Sequence, residues 1–314
     1  MSIAPDRLYH MGGVPVGDGG PNPIFGKIWF VDATNGTAEG DGSHDLPFST
    51  VQLGLTAQRA NTTSLGDVIY IMPGTYVESI TSNMTKVQII GTTCGGMPEA
   101  VTISPSDGNG YTGILAQSAF RNIRFLGSTS AHQTYAAIAV KLGESIIDNC
   151  VFAGKSDTAT NVGIRIGFET AETWEHMGWS TISNCLFGRK GGRYNLFDAG
   201  ICFGNFADNT YSDTRLFNFS QIINNYIYAN EHGIKLTCDG GNTDGGLIAN
   251  NFIGNFTNAY AVWACGASGT DTYCMVADNR ICSSPDAIRG FSARNVFGNV
   301  ISESGVTTVE NWHA

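Results

Sequence analysis

Positive charge is scarce in this chain. Its 314 residues carry 17 lysines and arginines against 27 aspartates and glutamates, a formal net charge of −10, and no basic run. With nothing to neutralise a phosphate backbone, nucleic acid is excluded as a partner, and anionic membrane surfaces are disfavoured for the same reason. There is no run of about 20 apolar residues to cross a bilayer as a helix. The opening MSIAPDRLYHMGGVPVG lacks the apolar core of a secretory signal, so the expectation is synthesis and folding in a cytoplasm. Eight cysteines form no CxxC pair and no metal-ligand spacing, and they are expected to be reduced thiols used as small hydrophobes. His10, His44, His132, His176, His232 and His313 are scattered, with no HExxH and no pair at i, i+4. GxSxG, P-loop and dinucleotide fingerprints are missing too. No metal and no cofactor is therefore expected; an acidic loop of Asp32, Asp41 and Asp45 leaves calcium open, at a spacing unlike that of a known loop.

Glycine is abundant at 40 residues, charged residues make up only 14%, and hydrophobic residues make up 42%. That balance suits many tight corners and short strands, and it excludes both long helices and disorder. The organising feature is a repeat in two halves. Ile223-Asn224-Asn225-Tyr226-Ile227 reappears around Asn149, Asn184, Asn251, Asn279 and Asn299, and Gly233-Ile234-Lys235-Leu236 reappears around Ile138, Ile164, Ile201, Val262 and Ile288. The asparagines are separated by 35, 41, 26, 28 and 20 residues, which is a solenoid period stretched by insertions. Each short run has strand alternation and one buried face, which only stacking of turns can cover. Asparagines buried at one position are expected to bond to one another along the axis.

Residues 1–26 hold four of the nine prolines and read as an arm. The expected divisions are this arm, a solenoid over 27–305 and a C-terminal tail or cap strand over 306–314. The series FVDATNG, DGSHDLPFSTVQ, GDVIYIMPGTYVE and VQIIG, within residues 28–91, resembles the opening of the right-handed parallel β-helix superfamily, the pectate-lyase-like proteins. The resemblance implies an all-β, single-stranded, right-handed solenoid with a short capping helix at about Val51 to Arg59. It implies no one activity, because the same opening serves polysaccharide lyases, bacterial surface proteins and bacteriophage virion proteins.

Rows of equivalent residues supply the candidate sites. One position past the central isoleucine lies the row Ala139, Arg165, Cys202, Lys235, Trp263, Arg289, three cations and a tryptophan expected on an outward face. Arg165, Trp263 and Arg289, with Trp174, Trp179 and Tyr211 from two aromatic insertions, are the candidates for gripping an acidic glycan. Asp198 and Glu231, three positions before that isoleucine on adjacent turns, form a carboxylate pair suited to glycosidic chemistry. In the lyases that the cap resembles, a base works beside a carboxylate-held calcium; Lys235 or Arg165 would be that base here, although the calcium ligands are not recognisable. One position past each asparagine lies a second outward row, Cys150, Cys185, Tyr226, Phe252, Arg280, Val300, whose apolar character implies a covering partner. Cys150 and Cys185 share a slot on neighbouring turns, which leaves a disulfide open. A row of small residues, Ala137, Gly163, Gly200, Gly233, Ala261 and Ala287, suggests corners with special dihedrals or a flat face. Together these readings favour a structural protein of a tailed bacteriophage particle. Its partners would be other virion proteins, met through residues 1–26 and the Tyr226–Phe252 stripe, and further copies of itself, a trimer among the options. The alternative is a polysaccharide lyase or hydrolase.

Overall fold

The computed structural model describes residues 9–11, 14–16, 26–60, 66–93, 100–128, 135–154, 162–167, 177–188, 196–204, 217–237, 245–255, 260–265, 274–282, 288–289, 291, 295–303 and 306–308. Among them the strands from Ile28 onward collect into two sheets, one of 10 strands and one of 19, in which neighbours are parallel except for the final strand, Val306–Thr308. The chain winds from a strand of the short sheet, round a corner, along the long sheet and back. This is the right-handed parallel β-helix anticipated from the cap and the repeat.

Register shows how the sequence sets each coil. Short-sheet strands Ile146–Asp148, Thr181–Ser183, Gln221–Ile223, Leu247–Ala249 and Met275–Ala277 stack so that Ile147, Ile182, Ile222, Ile248 and Val276 pair in one file. All five are fully buried. After the third strand residue the chain turns through the left-handed region at Asn149, Asn184, Asn224, Asn250 and Asp278, with φ between 49° and 57°. Asparagine tolerates that region better than other side-chain residues do. The following residue points into the core, and that file reads Cys150, Cys185, Asn225, Asn251, Asn279, Asn299.

The expected asparagine stack is therefore real from Asn225 onward and displaced before it. Asn225 Nδ2 donates to Asn251 Oδ1 at 3.0 Å, Asn251 Nδ2 to Asn279 Oδ1 at 2.9 Å, and Asn279 Nδ2 to Asn299 Oδ1 at 2.9 Å. Each amide also donates to a main-chain carbonyl of the preceding coil, as Asn251 Nδ2 does to Ile222 O at 2.9 Å. Asn149 and Asn184 are corner residues instead, and Cys150 and Cys185 take the inward slot. Cys185 N donates to Asn225 Oδ1 at 2.9 Å, so the sulfur file continues directly into the amide file. Cys150 and Cys185 are free thiols, as are Cys202, Cys274 and Cys282. The outward row beside this file consequently begins Val151, Leu186 rather than Cys150, Cys185, and continues Tyr226, Phe252, Arg280, Val300.

A second ladder marks the other end of the short strand. Ser118, Ser145, Ser180 and Ser220 stack; the Ser118 hydroxyl accepts from Val87 N, and each later hydroxyl accepts from the backbone N–H of the serine before it, all at 3.0–3.1 Å. Each also donates to a carbonyl two residues back, at 2.8–2.9 Å. A left-handed residue precedes every one, namely Gln117, Glu144, Trp179 and Phe219.

On the long sheet the second half of the repeat pairs as aligned, with Ile138, Ile164, Ile201, Ile234, Val262 and Ile288 in one file. The small row is small for an inward reason. A Cβ on Gly163, Gly200 or Gly233 would collide with Phe187, Ile227 or Ile253 and with the carbonyl of the next coil. None of these glycines has a left-handed φ, so neither the corner nor the flat-face expectation holds.

Both ends of the stack are covered. The helix α1 (Val51–Ala60) buries Val51, Gly54, Leu55 and Gln58 against the first coils. Its N-terminus is held by Glu78, whose two carboxylate oxygens accept from Val51 N at 2.8 Å and Gln52 N at 3.0 Å. The outer edge of Ile28–Val31 bonds to residues 42–48, with Phe30 N donating to Gly42 O and Phe48 N to Phe30 O. At the far end Val306–Thr308 runs antiparallel to Val300–Glu303. Within residues 1–26, expected to be aperiodic, Tyr9–Met11 and Val14–Val16 pair as an antiparallel hairpin.

Candidate functional site

The long sheet turns two adjacent rows outward, because the residues between them both point inward. Ala137 and Ile138 lie in the main core, while Ala136 and Ala139 join Val162, Ala199 and Cys202 in a separate apolar cluster on the other side of the sheet. One row is therefore Ala136, Val162, Ala199, His232 and the other Ala139, Arg165, Cys202, Lys235, Trp263, with Arg289 next by backbone pairing. The floor is small and apolar on the earlier coils and bulky on the later ones.

The cation row departs from the expected solvated face. Arg165 is 7% exposed and Lys235 3%, and Ala139 and Cys202 are fully buried. Lys235 Nζ sits 5.0 Å from the centre of the half-buried Trp263 ring. Burying a cation is costly unless other groups compensate.

His232, which the sequence offered only as one of six scattered histidines, is central to this face. Its backbone pairs with Ala199, and its ring lies 4.8 Å from Trp263 and parallel within 4° to Tyr260 at 6.2 Å. Nδ1 is 3.4 Å from the Tyr260 carbonyl oxygen. Burial first, and the positive charge of Lys235 second, push the imidazole down to about 4, so it is neutral at ordinary pH. The signal that could have found it is an offset: His232 stands three positions before Lys235, as Tyr260 does before Trp263.

The carboxylate pair is brought together, with one addition. Phe197 pairs with Ala229 and Ala199 with His232, so a bulge sets Asp198 against both Asn230 and Glu231. Asn230 Nδ2 reaches Asp198 Oδ1 at 3.5 Å. Asp198 is 8% exposed and its Oδ2 has no hydrogen-bond partner. Desolvation raises the Asp198 carboxyl to about 6, opposed by the Asn230 hydrogen bond and aided by the negative charge of Glu231. Glu231 itself is exposed. Lys235 lies four strand positions from Glu231, roughly 13 Å between backbone positions at about 3.3 Å per residue.

Trp179 stands at a corner, 65% exposed, away from the two rows. Trp174 and Tyr211 lie outside the described residues, and Arg289 is described by its backbone alone. Asp32 accepts from Thr34 N and Asn35 N, and Asp41 from Ser43 N, so each caps its own turn. Among the described residues no three His, Cys, Asp or Glu side chains gather in a metal-binding group. The second outward row remains partly open: Tyr226 is 46% exposed and stacks on Phe252 at 4.3 Å.

The class defined by two parallel sheets, a corner amide ladder and a capping helix is the single-stranded parallel β-helix. The sequence matches no protein-family model and no curated protein. Among solved structures the chain is similar to an alginate lyase from Paenibacillus sp. str. FPU-7, with a TM-score of 0.56 and 11% identity over 88% of this chain and 87% of that one. It is also similar to Escherichia coli ybhc, with a TM-score of 0.50 and 11% identity over 92% and 79%. The pectin methylesterase PemA from Erwinia chrysanthemi gives 0.48 and 11% identity over 92% of each chain. The chain thus has the fold of the pectate-lyase-like parallel β-helix proteins, and at these identities the likeness speaks for the fold alone.

Proposed function

We propose that this protein acts on an acidic polysaccharide at the outward face formed by Asp198, Glu231, His232, Lys235, Arg165 and Trp263. The observation that carries the reading is Asp198, a buried carboxyl with one oxygen unpartnered, raised to about 6 beside a second carboxylate. Glycosidic cleavage needs one acid protonated and one ionised, which is what this pair supplies. In this reading Asp198 gives its proton to the departing glycosidic oxygen as the C–O bond breaks and Glu231 bonds to the anomeric carbon; water, giving its proton back to Asp198, then displaces Glu231. Arg165 and Lys235 meet sugar carboxylates, and Trp263 offers a ring face. Neutral His232 adds a hydrogen-bonding group without further charge. Among the similar solved structures is a protein titled alginate lyase, which agrees with a carbohydrate substrate.

The test is product release from a panel of uronate polymers by the wild type and Asp198→Asn. The variant should lose on the order of 10²-fold or more in turnover while still binding polymer. Because Asp198 acts as an acid, wild-type activity should be present below pH about 6 and fall as pH rises through it. Undiminished turnover in Asp198→Asn, or a rate that rises with pH across that range, would overturn the assignment.

A second reading, a component of a bacteriophage particle, draws support from the outward row Val151, Leu186, Tyr226, Phe252, Arg280, Val300, which suits a covering partner or further copies of this chain. Light scattering of the full chain addresses it, with Tyr226→Ser reducing any oligomer.

A further inference from the structure

The Ser-ladder corner carries a polar or small residue on most coils: Lys86, Gln117, Glu144 and, further on, Gly245, all with left-handed φ. On two consecutive coils it carries Trp179 (φ 52°) and Phe219 (φ 48°) instead. Large side chains are disfavoured in this region. Nor does burial offset the strain, since Trp179 is 65% and Phe219 52% exposed. Their rings stack with centroids 4.7 Å apart and planes within 19°. Phe219 lies directly over Gly245, where a Cβ would stand 2.7 Å from its Cδ1, so the missing side chain is what lets the ring lie flat. A second observation comes from the two coils before, where Gln117 Nε2 donates to Glu144 Oε2 at 2.8 Å and sets an amide and a carboxylate on the same corner as the exposed rings.

Apolar ring surface combined with neighbouring amide and carboxylate groups matches a pyranose unit, which has an apolar C–H face and hydroxyl groups at its rim. We infer that Trp179 and Phe219 form a sugar-binding ledge, a subsite distinct from the Asp198 cluster. Asn218 pairs with Gly178 by a bridge, and Gly178 with Gly143, which stands four strand positions beyond Ala139. The ledge, one residue further, is therefore roughly 16 Å along the strand direction from the Arg165–Lys235 row at about 3.3 Å per residue. A polysaccharide running along the strands would reach both.

This inference rests on the reading of the chain as carbohydrate-active, but not on its catalytic step. The test uses the full chain in affinity electrophoresis through gels containing alginate, polygalacturonate or dextran, beside product release from the same polymers. Trp179→Ala and Phe219→Ala should each weaken retention by about three- to tenfold, the range that one aromatic stacking contact supports. Phe219→Trp should restore it, and turnover at saturating polymer should be unchanged. Asp198→Asn should give the reverse pattern. Retention by the wild type that neither ledge variant reduces overturns the ledge while leaving the Asp198 reading standing. Absence of both retention and turnover in the wild type with all three polymers overturns both. Equal melting midpoints for the ledge variants and the wild type exclude a folding artefact.

Discussion

The two halves of each coil behave differently. On the short sheet the spacing does not vary: from Gln117 to Asn250, left-handed residues bound each strand at a constant separation of five, as in Glu144 and Asn149, Trp179 and Asn184, or Phe219 and Asn224. On the long sheet, strands range from two residues at Leu186–Phe187 to twelve at Tyr226–Thr237, and every long insertion falls there. The constant half contains the Ser and Asn ladders, buried polar files whose bonds are met only by correct stacking. The variable half contains the buried cations, the bulged Asp198 and the aromatic rings. Polar groups on the first side set register, which frees the second side to carry chemistry without losing alignment.

The sharpest way to break this contrast is at the amide file. Asn251 accepts from Asn225 N and Nδ2 and donates to Ile222 O and Asn279 Oδ1. Asn251→Leu should cost about 3 kcal/mol or more, since each buried group left unpaired costs about 1–3 kcal/mol. Urea denaturation measures it, and a loss below 1 kcal/mol would show that the ladder does not set register. Lys235→Met makes the opposite claim for the long sheet. Its far-UV circular dichroism should match that of the wild type, while the apparent KM for uronate polymer rises about tenfold. Ser180→Ala comes next, with an expected loss of about 1–2 kcal/mol: Ser145 N would lose its acceptor while the remaining strand pairing stands. The smallest effect is expected from Glu78→Gln, which keeps one carbonyl oxygen where two carboxylate oxygens cap α1. A loss of about 1 kcal/mol should appear in the melting midpoint, with turnover at the Asp198 site unchanged.

The sequence aligned the second half of the repeat correctly, because a small residue followed by Ile or Val recurs on every coil, but it misread the small row as corners or a flat face and the cation row as solvated. It misplaced the first half on two coils. Adjacent asparagines have two tasks here, one at a left-handed corner and one in the core, and an isolated Asn149 or Asn184 does not reveal which it performs. The Cys in the core slot was the available clue, since a small hydrophobe after an asparagine fits the inward position. Asp198 and Glu231 were legible as a pair, whereas His232 and Tyr260 were not. Seeing them required knowing that Gly233 and Ile234 both face inward, a local break in strand alternation that periodicity alone does not expose. The Ser ladder escaped for a related reason: serine near a corner reads as ordinary turn chemistry until its spacing from the next serine is matched to the coil.

The covers at the two ends have a consequence for assembly. A stack of parallel strands is a template, and an uncapped one invites the next molecule to add its first strand to the last, extending without limit as fibrils do. Here α1 and the loop bonded along Ile28–Val31 stop one end, and the reversed direction of Val306–Thr308 stops the other. Continuation of the parallel register from one molecule into the next is interrupted at both places.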